Sequence, residues 1–273
     1  MSYVKAQEDG AWFEGTIERN IHLELFPGGI ALVPYKMNIY GPGGFFKSHV
    51  DTPTLDPARM LGTVVVALPS SFEGGVMSVA PPSGAGATAA GEGAPPSVRF
   101  DWAPHMAGGS VPWAAFFGDC VHEVQPVTTG YRVTITYGMV ATGSKNRWWA
   151  SDGCSTIARA PATTELHAQR LVQHVATAPV SRFGMVLTHK YTLTGVSATM
   201  LKGVDRVLYN ALAAAGYKLT VRPVVFASRV TRPCEGDDSD ATASNKIYAF
   251  GREELAAIRR GVSPPSAAEK LSP

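Results

Sequence analysis

His49 and Asp51 stand two positions apart at the end of the stretch Tyr40 to Asp51. In an extended strand that spacing projects an imidazole and a carboxylate to one side while Val50 points away. Such a pair is half of a metal site. His122, within the stretch Phe116 to Tyr137, is the candidate for the second imidazole. Two neutral nitrogens and one carboxylate make a facial triad with open coordination positions, which suits Fe(II) oxygen chemistry. Zinc takes the same donors. Taken singly, His49 and His122 also read as ordinary core or surface histidines, and Asp51 as the start of a turn before Pro53. Arg132 separates these readings. It lies ten residues past His122, where Arg132, Thr134 and Thr136 share one strand face and Val133, Ile135 and Tyr137 the other. A guanidinium on an inward face is costly to bury unless an anion meets it, and its planar fork matches a carboxylate.

The elements that must position these residues are mostly strands. Ile17 to Leu25 alternates polar and apolar residues and reads as a strand, Pro27-Gly28-Gly29 as a turn, and Ile30 to Tyr40 as a second strand. Met60 to Leu68, rich in β-branched residues and closed by Pro69, reads as a buried strand. Val76 to Ala80, Val98 to Trp102, Ala114 to Phe117, Gln125 to Val127 and Arg132 to Val140 continue the series. Residues 81–97 hold nothing large to bury and read as a mobile loop. Short strands at this spacing, joined by Gly and Pro turns, predict a sandwich or jelly roll. The expected division is a β core over 1–145 and an α/β extension over 146–273 packed on it. In the extension, Thr163 to Ala176 reads as a helix and Phe183 to Tyr191 as a strand. Ser197 to Ala215 is an amphipathic helix with Leu201, Val204, Leu208 and Leu212 on one stripe, capped by Gly216, and Tyr217 to Phe226 returns as a strand.

Composition narrows the function classes. The 273 residues are 45% hydrophobic, enough for a real core, and carry 24 basic and 22 acidic residues, so net charge calls for neither nucleic acid nor membrane. Cys120, Cys154 and Cys234 are odd in number and form no Cys-x-x-Cys, against a disulfide framework or a zinc ribbon. No signal-like or membrane-spanning run is present, and a cytoplasmic or nuclear protein is expected. Eight Lys/Arg residues between Ser181 and Arg232 face a single acid, Asp205. They could bind an acidic peptide or nucleic acid, but a solvated face partly neutralised by the acidic 235–240 segment is favoured. Gly41-Pro42-Gly43-Gly44 lacks a following Lys-Ser/Thr and reads as a turn, not a phosphate loop. Trp102 and Trp113 read as core, and His105 as a loop residue.

The ordered set of Tyr40, Gly43-x-Phe45-Phe46 before the first histidine, His49-x-Asp51, the Glu73-Gly74-Gly75 turn, His122 and Arg132 resembles the Fe(II)/2-oxoglutarate-dependent dioxygenases, and within them the prolyl 4-hydroxylase-like branch. The resemblance spans roughly residues 35 to 140. It implies a mainly β fold, a double-stranded β-helix (jelly roll) core with an appended α/β part and additional helices packed on it. It also implies Fe(II) held by His49, Asp51 and His122, with 2-oxoglutarate, dioxygen and ascorbate as accompanying reactants. Arg132 would meet the distal carboxylate of 2-oxoglutarate, where most prolyl hydroxylases use lysine, and Tyr40 and Thr134 would contact the same co-substrate. Asp51 favours hydroxylation, because halogenases of this fold replace that carboxylate with a small residue. The expected substrate is a protein or peptide side chain such as proline. The alternatives are the same chemistry on a small molecule or nucleobase, and a non-catalytic metal-binding β-sandwich.

Overall fold

The computed structural model describes residues 3–6, 13–26, 28–82, 97–108, 111–143, 162–178, 182–222, 224–229, 244–249 and 269–270. In chain order the elements begin with β1 (Tyr3–Ala6), α1 (Phe13–Glu24), β2 (Ile30–Tyr40), β3 (Phe46–His49), β4 (Met60–Ala67), β5 (Phe72–Gly74), β6 (Met77–Ala80) and β7 (Val98–Phe100). After a 3-10 turn at Ala103–Gly108 come β8 (Trp113–Phe117), β9 (Val121–Val124), β10 (Val127–Gly130) and β11 (Arg132–Ala141). Then follow α2 (Ala162–Thr177), a 3-10 turn at Ala198–Met200, α3 (Gly203–Ala214), β12 (Val224–Arg229), β13 (Ser244–Ala249) and β14 (Glu269–Lys270).

A five-stranded sheet, β1-β8-β4-β11-β2, and a four-stranded sheet, β3-β9-β6-β7, form the jelly-roll core. On the face that carries Arg132, the larger sheet's Val65 and Phe116 share one cluster with Met77, Val79, Phe100 and Val124 of the smaller, while Val64, Val66 and Phe117 are buried on its other face. Burying these aliphatic and aromatic side chains stabilises the sandwich by about 1.5–3 kcal/mol each. A β10-β5 pair closes one end, and β12-β13-β14 form a separate antiparallel sheet.

The first expected strand is a helix. Ile17, Ile21 and Leu25 recur every fourth residue, and α1 with the residue that follows it buries all three in the core cluster, so the helical stripe overrides the local alternation. The expected strand over Phe183 to Tyr191 does not form either. The backbone N–H groups of Thr188 and His189 donate to Asp205, and that of Lys190 donates to Asp119, so the segment is held by carboxylates instead of a strand partner. The helix expected from Ser197 is a 3-10 turn followed by α3, which ends before Gly216 at φ +90°. Most of the 81–97 loop (83–96) and the acidic 235–240 segment lie outside the described residues. No helix among the described residues is long and apolar enough to cross a membrane.

Candidate metal centre

The pairing of β3 with β9 brings the two histidines together, because His49 and His122 are direct cross-strand partners and their ring centroids lie 4.2 Å apart. The chain past β3 places Asp51 between them, with Oδ1 3.9 Å from His49 Nε2 and 3.7 Å from His122 Nε2. One donor atom from each of the three residues lies within 4.8 Å of the others, which is the arrangement a single ion needs.

Each donor is oriented by a further hydrogen bond. His49 Nδ1 lies 2.8 Å from the Lys47 carbonyl and His122 Nδ1 lies 3.1 Å from that of Cys120. A carbonyl accepts only from an N–H, so both rings carry their proton on Nδ1 and turn an Nε2 lone pair towards the centre. The Thr63 hydroxyl on β4 donates to Asp51 Oδ2 and leaves Oδ1 free. Burial pushes the pKa of His122 below its ordinary value, against the upward pull of the Asp51 carboxylate, which favours the neutral ligand form. Phe46 meets His49 edge-on at 4.1 Å and Phe116 lies 4.7 Å from His122, so two aromatic rings keep water from the flanks.

Arg132 opens β11 opposite Tyr40, and β11 alternates as its sequence requires, with Arg132, Thr134 and Thr136 buried on the inner face. The guanidinium is 1% exposed, yet Nε and Nη2 have no hydrogen-bond partner. Its surroundings are the Trp102 and Tyr40 rings, at 5.1 and 5.6 Å from Cζ. Gly75 makes room for it: at φ +62°, a Cβ there would sit 2.9 Å from Arg132 Cδ. Burial pulls the Arg132 pKa down to about 10, and Tyr40 acts against that shift. Burial pushes the Tyr40 hydroxyl up, with Arg132 opposing, so at neutral pH it remains a donor. A buried cation with unused N–H groups is a site built for an anion, as 2-oxoglutarate would supply. Thr134 lies on the same face one pair further along, beside Asn38, whose Nδ2 donates to Thr136 Oγ1.

The centre opens into a cavity of about 320 Å³ whose wall includes His49, Asp51, Thr63, Thr136, Phe46 and Lys36. Sequence reasoning did not single out Thr63, Asn38 or Lys36; each sits inside a strand whose pattern reports only which face it occupies. It also missed a buried ionic cluster behind His122. Asp119, in the turn between β8 and β9, meets His189 Nδ1 at 3.0 Å and Lys202 Nζ at 3.2 Å. Burial would raise the Asp119 pKa, but His189, Lys202 and the Lys190 N–H outweigh it and bring the carboxyl down to about 2. Asp205 is buried too and accepts from the Tyr191 hydroxyl, while Arg206 stacks 4.4 Å over the Phe26 ring. The basic stretch is therefore not wholly a solvated face, because Lys202 and its lone acid are interior. Cys120, in the same turn, has its thiol pushed up to about 12 by burial, with Asp119 adding to the shift, which leaves it unreactive.

Residues 35–137 match the model of the 2OG-Fe(II) oxygenase superfamily, with which Fe(II), 2-oxoglutarate and dioxygen go as reactants. No curated protein matches the chain. Among solved structures, the chain is similar to a 2OG-Fe(II) oxygenase family oxidoreductase from Burkholderia pseudomallei (21% identity, TM-score 0.28), with 41% of this chain covering 43% of that one. It is also similar to a collagen prolyl hydroxylase of Paramecium Bursaria Chlorella virus-1 solved with 2OG (12% identity, TM-score 0.29), with 51% of this chain covering 80% of that one. A prolyl-4-hydroxylase from Pseudomonas putida is similar at 17% identity and TM-score 0.28, with 50% of this chain covering 72% of that one. The chain thus spans less than half the length of the Burkholderia protein, and likeness at this level assigns no substrate.

Proposed function

We propose that the domain is an Fe(II)- and 2-oxoglutarate-dependent hydroxylase. His49 Nε2, Asp51 Oδ1 and His122 Nε2 hold the metal, Arg132 and Tyr40 hold the far carboxylate of 2-oxoglutarate, and a C–H bond of a protein or peptide side chain such as proline is the target. The observation that carries this is the buried guanidinium of Arg132, whose Nε and Nη2 have no partner, in the same domain as the three-donor cluster. Neither feature contributes to folding by itself. An unpaired buried cation costs stability, and two imidazoles beside a carboxylate bury polar surface for little return.

Bound iron, 2-oxoglutarate and dioxygen would supply the oxidising chemistry, with one oxygen atom ending in succinate and the other in the hydroxylated product as carbon dioxide leaves. The chain's share is positional. The carbonyls of Lys47 and Cys120 set the imidazole tautomers, Thr63 leaves one carboxylate oxygen for the metal, and Phe46 and Phe116 limit access of water. Thr134 lies beside Arg132 on the face that would line the co-substrate.

An anaerobic titration tests this. Fe(II) with 2-oxoglutarate should give the visible charge-transfer band of a chelated 2-oxo acid at one equivalent per chain, and His122→Ala should abolish it. A parent protein that gives no band, or a His122→Ala variant that keeps it, refutes the assignment.

A further inference from the structure

The rim of the cavity at the metal centre carries one exposed charge, Lys36, that hydroxylation as just proposed does not use. Lys36 lies on β2 in the row Lys36, Asn38, Tyr40 and pairs with Thr136 across the sheet, on the face that carries Arg132 further along β11. Four residues of strand separate Lys36 from Tyr40, roughly 13 Å, so the cations of Lys36 and Arg132 mark opposite ends of one polar row. Lys36 Nζ stands 5.4 Å from the centroids of both Tyr35 and Phe46, and Phe46 in turn packs against His49. The ammonium is thus one aromatic ring away from a proposed metal ligand. Among the described residues no carboxylate lies within ion-pair distance of it, and the only acidic residue lining the cavity is Asp51.

Charge balance decides what this lysine can do. A divalent metal and Arg132 bring three positive charges, and Asp51 with the two carboxylates of 2-oxoglutarate brings three negative ones, so the loaded centre is neutral without Lys36. Lys36 then remains as a single excess cation beside the open part of the cavity, where the target must enter. An anionic group on the target would complete the balance and gain a charge-assisted hydrogen bond, and the Tyr35 and Phe46 rings would pack its apolar neighbours.

Resting on the hydroxylase assignment, we infer that Lys36 determines specificity: the cavity selects a target that carries a carboxylate close to the carbon to be hydroxylated. That carboxylate belongs either to a free acid or to an acidic residue beside the target in a peptide.

Matched acid and amide pairs test this by binding, without turnover. Protein loaded with Mn(II) and 2-oxoglutarate is titrated calorimetrically with N-acetylproline against N-acetylprolinamide, with 3-phenylpropionate against its amide, and with capped Gly-Pro-Asp-Gly against capped Gly-Pro-Asn-Gly. At least one acid should bind about ten- to a hundredfold tighter than its amide, the range of a hydrogen bond to a charged group. Lys36→Met should bring that ratio close to one, and Lys36→Arg should keep most of it. A preference confined to the first two pairs identifies a free acid, and one confined to the tetrapeptides identifies an acidic neighbour. Equal affinity in every pair, or an acid preference that survives Lys36→Met, overturns the inference. Mn(II) and 2-oxoglutarate are titrated first on the parent protein, and failure there sinks the hydroxylase assignment separately.

Discussion

Replacing Arg132 with methionine should stabilise the protein in the absence of co-substrate. The guanidinium is 1% exposed with two N–H-bearing nitrogens unpartnered, and burial lowers its pKa to about 10. A cation whose folded pKa is depressed destabilises the fold at every pH below that value, and the cost disappears as pH rises above about 10 towards the ordinary guanidinium value. At neutral pH the full shift applies, about 3 kcal/mol at 1.36 kcal/mol per unit. The stacking of the guanidinium on Trp102 and Tyr40 returns about 0.5–2 kcal/mol. Methionine fills much of the same volume without charge, so the net gain should be about 1–3 kcal/mol, or roughly 2–10 °C in melting temperature. Saturating 2-oxoglutarate should reverse the order. At a hundred times its Kd the co-substrate stabilises the parent by about 2.7 kcal/mol and leaves the variant unchanged. Thermal unfolding with Mn(II), with and without 2-oxoglutarate, measures both arms. A variant destabilised by more than about 1 kcal/mol without co-substrate, or one still stabilised by it, refutes the buried-anion-site reasoning.

Two further outcomes follow from the hydrogen bonds around the centre. Thr63→Val removes the donor to Asp51 Oδ2, and the variant should bind Mn(II) about 10–100-fold more weakly in chelator competition; unchanged affinity would show that the hydroxyl does not orient the carboxylate. Asp119→Asn should cost about 2 kcal/mol in urea unfolding at pH 7, because the carboxyl is held near 2. A depressed carboxylate contributes fully above its unfolded pKa and loses that contribution as pH falls through the folded value, so the difference from the parent should shrink between about pH 4 and pH 2. A difference that stays constant to pH 2 would assign the effect to packing.

The core and the centre were legible because both are written in local periods. The two-residue spacing put His49 with Asp51, although β3 ends at His49, and strand alternation put Arg132 with Thr134, an alternation that the burial of β11 follows from Arg132 to Tyr137. What was not legible depends on contacts distant in sequence. The apolar spacing of Ile17, Ile21 and Leu25 satisfies a helix better than a strand, but only the core that accepts all three reveals it. Residues 183 to 191 look like a strand because Met185 to Leu187 are apolar, yet their neighbours are organised by carboxylates at Asp119 and Asp205. Thr63 and Lys36 carry no signature, since a threonine or lysine inside a strand reads the same whether it faces a metal ligand or water.

The Asp119 cluster also bears on the order in which the chain becomes competent as it is made. His122 takes its orientation from the Cys120 carbonyl, and Cys120 sits in the turn that Asp119 anchors to His189, 70 residues on, and to Lys202, 83 residues on. The Thr192 hydroxyl ties the same later segment to the Pro57 carbonyl, on the chain just past Asp51. Both sides of the metal centre therefore wait for residues synthesised long after the last core strand. Closing loops of this length costs only slowly increasing entropy, so the delay is one of synthesis more than of search. A ribosome that has released residues up to Ala141 has delivered all three metal ligands and Arg132, but not the clamp that holds the second histidine's turn in place.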